Sequence, residues 1–264
     1  MFYVVVSTKG GVGKTTIAQQ VLAPFVYQKT NKKVEIIELD NNNKSNVLND
    51  SEVLEVKPVE LHKKDEVLLN KFMEVVAEDK DIIVDVGGGD DTKRVLEAFK
   101  ELRLEDEITF FVPVLKDLSN EKNVIDTWSL IRTWNTQAKI YFVLNRFTNE
   151  KEFSSILKKL NEVKEDTNKS LLFLEDTPLF DEIAKEFKKS VYEITLSELD
   201  NSKAKKLLVE TAKQKDIKKL KEIKYWISVY DRSKKFIQTN LIPIFGELKW
   251  MIYIMKQKNN LYIN

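Results

Sequence analysis

A three-layer α/β fold, a mainly parallel sheet with helices on both faces, is predicted by three observations. Apolar β-branched runs alternate with segments of helical period, nearly every connection has helical length, and the first run feeds a glycine-rich loop that opens a helix. With 264 residues, 42% of them apolar, the chain can bury a substantial core.

The elements follow in order. Strands are predicted over Tyr3 to Ser7, Val34 to Glu38, Ile82 to Val86, Ile108 to Val112, Ile140 to Leu144 and Leu171 to Leu174, each a short apolar run bounded by turn or charged residues. Helices are predicted near 15–29, 65–79, 91–103, 119–135, 151–165 and 180–188. From Ser202 to about Ser233 the pattern changes. Ala204, Leu208, Ala212, Leu220, Ile223, Ile227 and Tyr230 recur at three- or four-residue spacing among lysines, the mark of an amphipathic helix or a helical pair. Pro243 and Gly246 then interrupt the pattern before a final apolar patch, Leu248 to Met255. No internal repeat is present.

Net charge is +1, but it is unevenly placed. Residues 200–264 hold 15 Lys or Arg against 6 Asp or Glu, net +9, which leaves 28 against 36, net −8, in residues 1–199. A basic end of this kind suits a polyanionic partner, nucleic acid or an anionic membrane surface, or simply a solvated lysine-rich helix face. The chain has no cysteine, which excludes disulfides, thiolate zinc sites and iron–sulfur clusters. Phe2-Tyr3-Val4-Val5-Val6 begins as a strand, without the basic and apolar regions of a secretion signal, so a cytoplasmic location is expected. The apolar stretch Leu241 to Met255 is interrupted by Gly246, Glu247 and Lys249 and is shorter than the roughly 20 residues needed to span a bilayer.

The segment Lys9-Gly10-Gly11-Val12-Gly13-Lys14-Thr15-Thr16 carries the chemistry. Glycines let consecutive backbone N–H groups approach phosphates, and a following helix N-terminus aims a positive dipole at them. Lys14 is placed to bridge the β- and γ-phosphates of a nucleotide, and the Thr15 hydroxyl to ligate Mg²⁺. Gly10, Gly11, Val12, Gly13 and Thr16 complete the nucleotide-binding set.

With Lys9 ahead of the two glycines, the loop resembles the deviant Walker A motif of the ParA/MinD family of ATPases. The resemblance implies that Lys9 reaches the phosphates bound by a partner subunit, hence a homodimer formed on ATP. Glu38-Leu39-Asp40-Asn41-Asn42 is similar to the family's Asp-x-Asp-Pro-Gln switch, with Asp40 in the position that orients the attacking water. Glu38, Asn41 and Asn42 depart from that pattern. Ile82-Ile83-Val84-Asp85, followed by Gly87-Gly88-Gly89, resembles Walker B, with Asp85, like Asp40, holding the metal through water. The family more often has Thr-Pro-Pro after this aspartate. Asn145 after its strand and Pro178 in Asp176-Thr177-Pro178 match the family's adenine-pocket positions, and Lys188-Lys189-Ser190-Val191 is similar to its Gly-Lys-Pro-Val ending.

The resemblance covers roughly residues 1–195. It implies a P-loop ATPase domain over 1–199, and the charge and helical period of the remaining residues add a basic helical extension over 200–264 packed on it. Lys9, Lys14 and Asp40 are then the catalytic residues, and ATP and Mg²⁺ the cofactors. The partitioning branch of the family binds DNA without sequence preference in its ATP state and is stimulated by a centromere-binding, ParB-like partner. Lys203, Lys206, Lys213, Lys218, Lys219, Lys221, Arg232, Lys234 and Lys235, interleaved with Tyr225, Trp226 and Tyr230, are the DNA-binding candidates, and a nucleoid-associated location follows. A MinD-like membrane anchor over Leu241 to Asn264 is the alternative, but its apolar residues are consecutive and define no single face, which argues against a membrane. A nucleotide-binding scaffold with negligible turnover is the other alternative, suggested by the altered residues Glu38, Asn41 and Gly87.

Overall fold

The computed structural model describes residues 1–39, 48, 50–59, 66–162, 169–196 and 201–249. Seven strands, β1 (Phe2–Val5), β2 (Val34–Leu39), β3 (Leu54–Pro58), β4 (Ile82–Val86), β5 (Ile108–Val114), β6 (Lys139–Phe147) and β7 (Lys169–Glu175), form one sheet in the order β3-β2-β4-β1-β5-β6-β7. Every pairing is parallel. The predicted α/β class is therefore observed, with one strand more than the apolar runs indicated. That strand, β3, reads Leu-Glu-Val-Lys-Pro, too short and too charged to stand out. It is an edge strand, where a terminal proline costs no second ladder.

The first helix after β1 is built of three parts: α1 (Lys14–Ile17), a π-helical stretch Ala18–Leu22, and α2 (Ala23–Thr30). The crossovers that follow carry α3 (Glu66–Ala77), α4 (Asp90–Glu101), α5 (Leu118–Trp134) and α6 (Ser154–Glu162). Alternation along β1 sends Phe2 to one face and Tyr3 to the other. Phe2 meets Phe72 and Phe99 edge-on at 5.3 and 5.2 Å, and those two rings stack at 4.4 Å. Tyr3 meets Phe25 at 6.0 Å, while Phe111 stacks on Tyr141 at 5.2 Å. Each fully buried ring contributes about 1.5–3 kcal/mol, so these aromatic clusters anchor helices to both faces.

β5 runs two residues beyond its predicted end, through Pro113. The Phe111 carbonyl accepts from Val6 N–H at 3.0 Å, so odd-numbered residues of β5 turn their backbone toward β1. Pro113 lies past the last residue paired with β1, and its missing N–H removes only a bond at the strand's exit.

The chain divides into two compact units, Met1–Asn46 with Glu52–Thr177, and Val47–Ser51 with Pro178–Asn264. The second holds α7 (Leu179–Phe187), α8 (Val191–Leu196), α9 (Asn201–Lys213) and α10 (Ile217–Phe236). The helices over 179–196 thus cluster with the basic C-terminal helices, because α10 packs on α7 and α8 as well as on α9. Phe180 meets Phe236 edge-on at 5.3 Å. Glu182 accepts from both terminal nitrogens of Arg232, at 2.8 and 2.7 Å, and from the Tyr225 hydroxyl at 3.0 Å.

The expected interruption at Pro243 and Gly246 is not observed. A π-helical turn, Ile237–Leu241, passes into helix over 242–249. The same device occurs twice. In Leu22-Ala23-Pro24 and Leu241-Ile242-Pro243 a π-helical stretch ends two residues before the proline, and the residue preceding the proline donates to the carbonyl five back. The wider turn makes room for the ring, so neither proline ends its helix. No helix of the described residues is long and apolar enough to cross a membrane. The rest of the apolar patch, 250–255, lies outside the described residues.

Candidate functional site

The loop after β1 occupies the carboxyl end of the sheet, where the strand order reverses and parallel α/β sheets place their ligands. Its last residue, Gly13, is the N-cap of α1 in a left-handed conformation, φ +93°. A Cβ there would stand 2.1 Å from Asn145 Nδ2, so both backbone and space demand glycine. Asn145 donates from that same nitrogen to the Val12 carbonyl at 3.1 Å, and its oxygen accepts from Arg146 N–H at 3.0 Å. The residue expected at the base therefore braces the phosphate loop. The first turn of α1 holds no acidic residue, which leaves its positive end available to an anion.

Lys14 is buried, and its ammonium donates to the Lys9 carbonyl of its own loop at 3.2 Å. Thr15 Oγ1 donates to Asp85 Oδ2 at 2.7 Å. Strand register explains why they meet: Asp85 pairs with Val5 of β1 and with Glu38 of β2, which puts its carboxylate beside the loop. Glu38 and Asp85 share a face and are both buried. A hydroxyl and a carboxylate are hard oxygen donors, and among the described residues no group of three or more His, Cys, Asp or Glu forms a cage. Such a donor pair fits Mg²⁺ whose shell is completed by a nucleotide's phosphates and water.

Lys9 is turned away from the loop. Its ammonium donates to Ser119 Oγ at 2.8 Å and lies 3.8 Å from Asp117 Oδ1. Ser119 in turn donates to Asp117, the N-cap residue of α5, and that bond, with the Lys9 charge behind it, holds the Asp117 carboxyl below its ordinary value. The same helix grips the neighbouring residue: Thr8 N–H donates to Thr127 Oγ1 at 3.1 Å, and Thr8 Oγ1 to the Asn123 carbonyl at 3.3 Å. Sequence reasoning missed Asp117, Ser119 and Thr127. The Asp-x-Ser spacing at a predicted helix start was the available signal, but it reads as an ordinary cap.

The glycine run after Asp85 joins two parts of the site. Gly87 N–H donates to the Leu39 carbonyl at 2.7 Å, and Gly89 N–H to the Thr8 carbonyl at 3.2 Å. A Cβ on Gly87 would meet that Leu39 oxygen at 2.7 Å and Asp91 Oδ2 at 2.2 Å, which excludes any side chain. The end of β2, where Asp40 follows, is thereby tied through 87–89 to the front of the phosphate loop. Asp40 itself lies outside the described residues.

Pro178 is the N-cap residue of α7 and belongs to the second unit. The DNA-binding candidates fall on α9, on α10 and in the same unit. Lys203, Lys206, Lys213, Lys218, Lys219, Lys221, Lys234 and Lys235 are exposed, as is Lys224 on α10, which sequence reasoning passed over. Arg232 is committed to Glu182.

The model for the CobQ/CobB/MinD/ParA nucleotide-binding domain matches residues 3–191. Among solved structures, the MinC:MinD cell division complex of Aquifex aeolicus is similar in fold, with 15% identity over 75% of this chain and 88% of that chain, TM-score 0.53. The A. aeolicus MinD cell division protein is 18% identical over 76% of this chain and 91% of that one, TM-score 0.48. A putative plasmid partition protein of Borrelia burgdorferi B31, solved bound to AMPPNP, is 15% identical over 88% of this chain and 98% of that one, TM-score 0.48. No curated protein matches the chain in sequence.

Proposed function

Because the chain belongs to the CobQ/CobB/MinD/ParA nucleotide-binding family, we propose that it is a Mg²⁺-dependent ATPase switch that dimerises on ATP and, as a dimer, holds DNA without sequence preference during partitioning of a plasmid or chromosome. The observation that carries the enzymatic part is the convergence of Lys14, the Thr15–Asp85 pair and the glycine loop at one helix N-terminus. The loop's N–H groups and Lys14 bind the β- and γ-phosphates and neutralise charge that grows on them during transfer. Thr15 and Asp85 are the residues that would hold a bound Mg²⁺. Bound Mg²⁺ supplies further charge neutralisation on the phosphate oxygens. Asp40 orients the water.

Lys9 acts in trans. Its ammonium rests on α5 rather than on its own loop, and reaching a partner's phosphates requires exchanging Ser119 and Asp117 for a stronger anion. Loss of the γ-phosphate is relayed along 87–89, since that segment bonds both to the end of β2 and to Thr8. The DNA part rests on the net charge of +9 over residues 200–264 and on the exposed lysines of α9 and α10. On this reading a ParB-like protein at the cargo stimulates turnover, and the ATP-bound dimer sits on nucleoid DNA in the cytoplasm.

The test is ATP turnover of wild type and Asp40→Ala, with and without duplex DNA, alongside the oligomeric state of Lys9→Ala in ATP. Wild type is expected to turn over ATP, Asp40→Ala to bind without turning over, and Lys9→Ala to stay monomeric. Wild-type turnover no higher than that of Asp40→Ala would leave a nucleotide-binding scaffold as the reading.

A further inference from the structure

The tip of the α9–α10 hairpin combines three features that an ordinary surface turn does not need. First, every residue from Ala212 to Lys219 is exposed, so the tip projects. Second, Lys213, Lys215, Lys218, Lys219 and Lys221 crowd there, flanked by Glu210 and Glu222, with Asp216 the one acidic residue among them, and Asp216 is occupied as the N-cap of α10, accepting from Lys219 N–H at 2.9 Å. Third, Ile217, the first residue of α10, is 68% exposed amid these lysines, more than any other large apolar residue described. The turn is well defined. Gln214 N–H donates to the Glu210 carbonyl at 3.2 Å, Lys215 N–H to that of Ala212 at 3.1 Å, and Lys215 takes a left-handed φ of +56°.

We infer that this tip is the element that engages duplex DNA, with the lysines on phosphates flanking a groove and Ile217 directed at the groove floor. The inference rests on the DNA-binding reading above and names the surface responsible. The choice of duplex DNA over an anionic bilayer follows from geometry. Successive helical residues point about 100° apart, so Lys218, Lys219 and Lys221 leave the first turn of α10 in different directions around Ile217. A flat anionic surface engages only the charges on one side of such a tip. Two rows of phosphates on either side of a groove engage both, and the groove walls and floor between them offer apolar sugar and base surface of any sequence to an isoleucine. A single exposed isoleucine is also a weak membrane anchor, since stable attachment takes more buried apolar surface.

The two kinds of contact separate in a salt titration. Lysine–phosphate contacts release counterions, with a slope in log K against log salt of about 0.9 per phosphate, whereas an apolar contact releases none. The experiment uses the full chain with ATP and a labelled duplex of mixed sequence, and compares wild type, Lys213→Gln/Lys218→Gln/Lys219→Gln, and Ile217→Ser. The triple variant is expected to flatten the slope by about 2 to 3 and to bind at least about 10-fold more weakly at low salt. Ile217→Ser is expected to bind several-fold more weakly with the slope unchanged. Thermal melts check folding, and the substituted positions are exposed.

ATP-dependent DNA binding by wild type that neither variant weakens would overturn the tip assignment and leave the DNA reading standing. Absence of any ATP-dependent DNA binding by wild type would remove the DNA reading and the tip with it. Loss by the variants of binding to phosphatidylserine vesicles, with DNA binding intact, would reassign the tip to a membrane.

Discussion

The two units use positive charge in opposite ways. Around the phosphate loop each lysine has a partner and a place: Lys14 on the Lys9 carbonyl, Lys9 on Ser119 beside Asp117. On α10, Lys218, Lys219, Lys221, Lys234 and Lys235 form no ion pair among the described residues, and Arg232 alone is clamped. The first arrangement is a site, in which geometry fixes where an anion goes. The second is a field, in which many weak contacts sum and no single one is decisive. The difference predicts how each responds to mutation.

The largest effect should fall on the site. Lys14→Ala removes a charge-assisted contact to buried phosphate and is expected to weaken ATP binding by about 100-fold or more, measured by calorimetry. Any one α10 lysine changed to Gln should weaken DNA binding by about 10-fold at most at moderate salt. A single α10 lysine whose loss cost as much as Lys14 would break the comparison and turn the field into a site.

Next in size is a test of whether the loop is a fixed shape. Gly13→Ala forces a left-handed φ on alanine and drives Cβ within 2.1 Å of Asn145 Nδ2. The expected cost is about 2–4 kcal/mol in chemical denaturation, from backbone strain and overpacking together. In the Gly13→Ala/Asn145→Ala double variant the steric part should be relieved, and the two costs should fail to add by about 1 kcal/mol or more. Additive costs would mean that Asn145 does not brace the loop.

The place of the glycine loop after β1, the place of Asp85 near the end of β4 and the alternation of strands and helices were legible in the sequence because each is encoded locally: glycines at fixed spacing, an aspartate near the end of an apolar strand. What was not legible depends on partners far apart in the chain. Ser119 is 110 residues from Lys9, and Asn145 is 133 residues from Val12, so no window of sequence contains either contact. β3 was missed because an edge strand of five residues ending in proline carries little apolar signal. Pro243 carries the sequence signal of a break because a proline normally ends a helix, and only the π-helical turn before it makes it harmless.

Inside the second unit, the Glu182 clamp is the exception to the field, and it should show in stability rather than in binding. Arg232, hydrogen-bonded to Glu182, holds that carboxyl below its usual value. A carboxyl with a depressed folded-state pKa adds stability above the unfolded value of about 4.3 and loses it as pH falls through the folded value. With Arg232 43% and Glu182 23% exposed, solvent screening limits the clamp to about 1 kcal/mol. Glu182→Gln should therefore melt a few degrees lower at pH 7, and the gap from wild type should close in acid. A gap that is constant down to acid pH would assign the loss to packing instead of charge.

The smallest effect separates stability from function most cleanly. Lys188 closes α7 in a left-handed conformation, φ +53°, its N–H donating to the Ala184 carbonyl at 3.2 Å. This is the position at which the similar family motif has glycine, the residue that adopts such a cap without strain. Lys188→Gly is expected to stabilise the protein by about 0.5–1 kcal/mol, the relief of a left-handed lysine less the extra freedom glycine gains on unfolding. Lys188 lies outside α9 and α10, so DNA affinity should fall no more than for any other single lysine. A larger fall would extend the field to the end of α7, and a drop in melting temperature would mean that the Lys188 side chain, not its backbone, holds the turn.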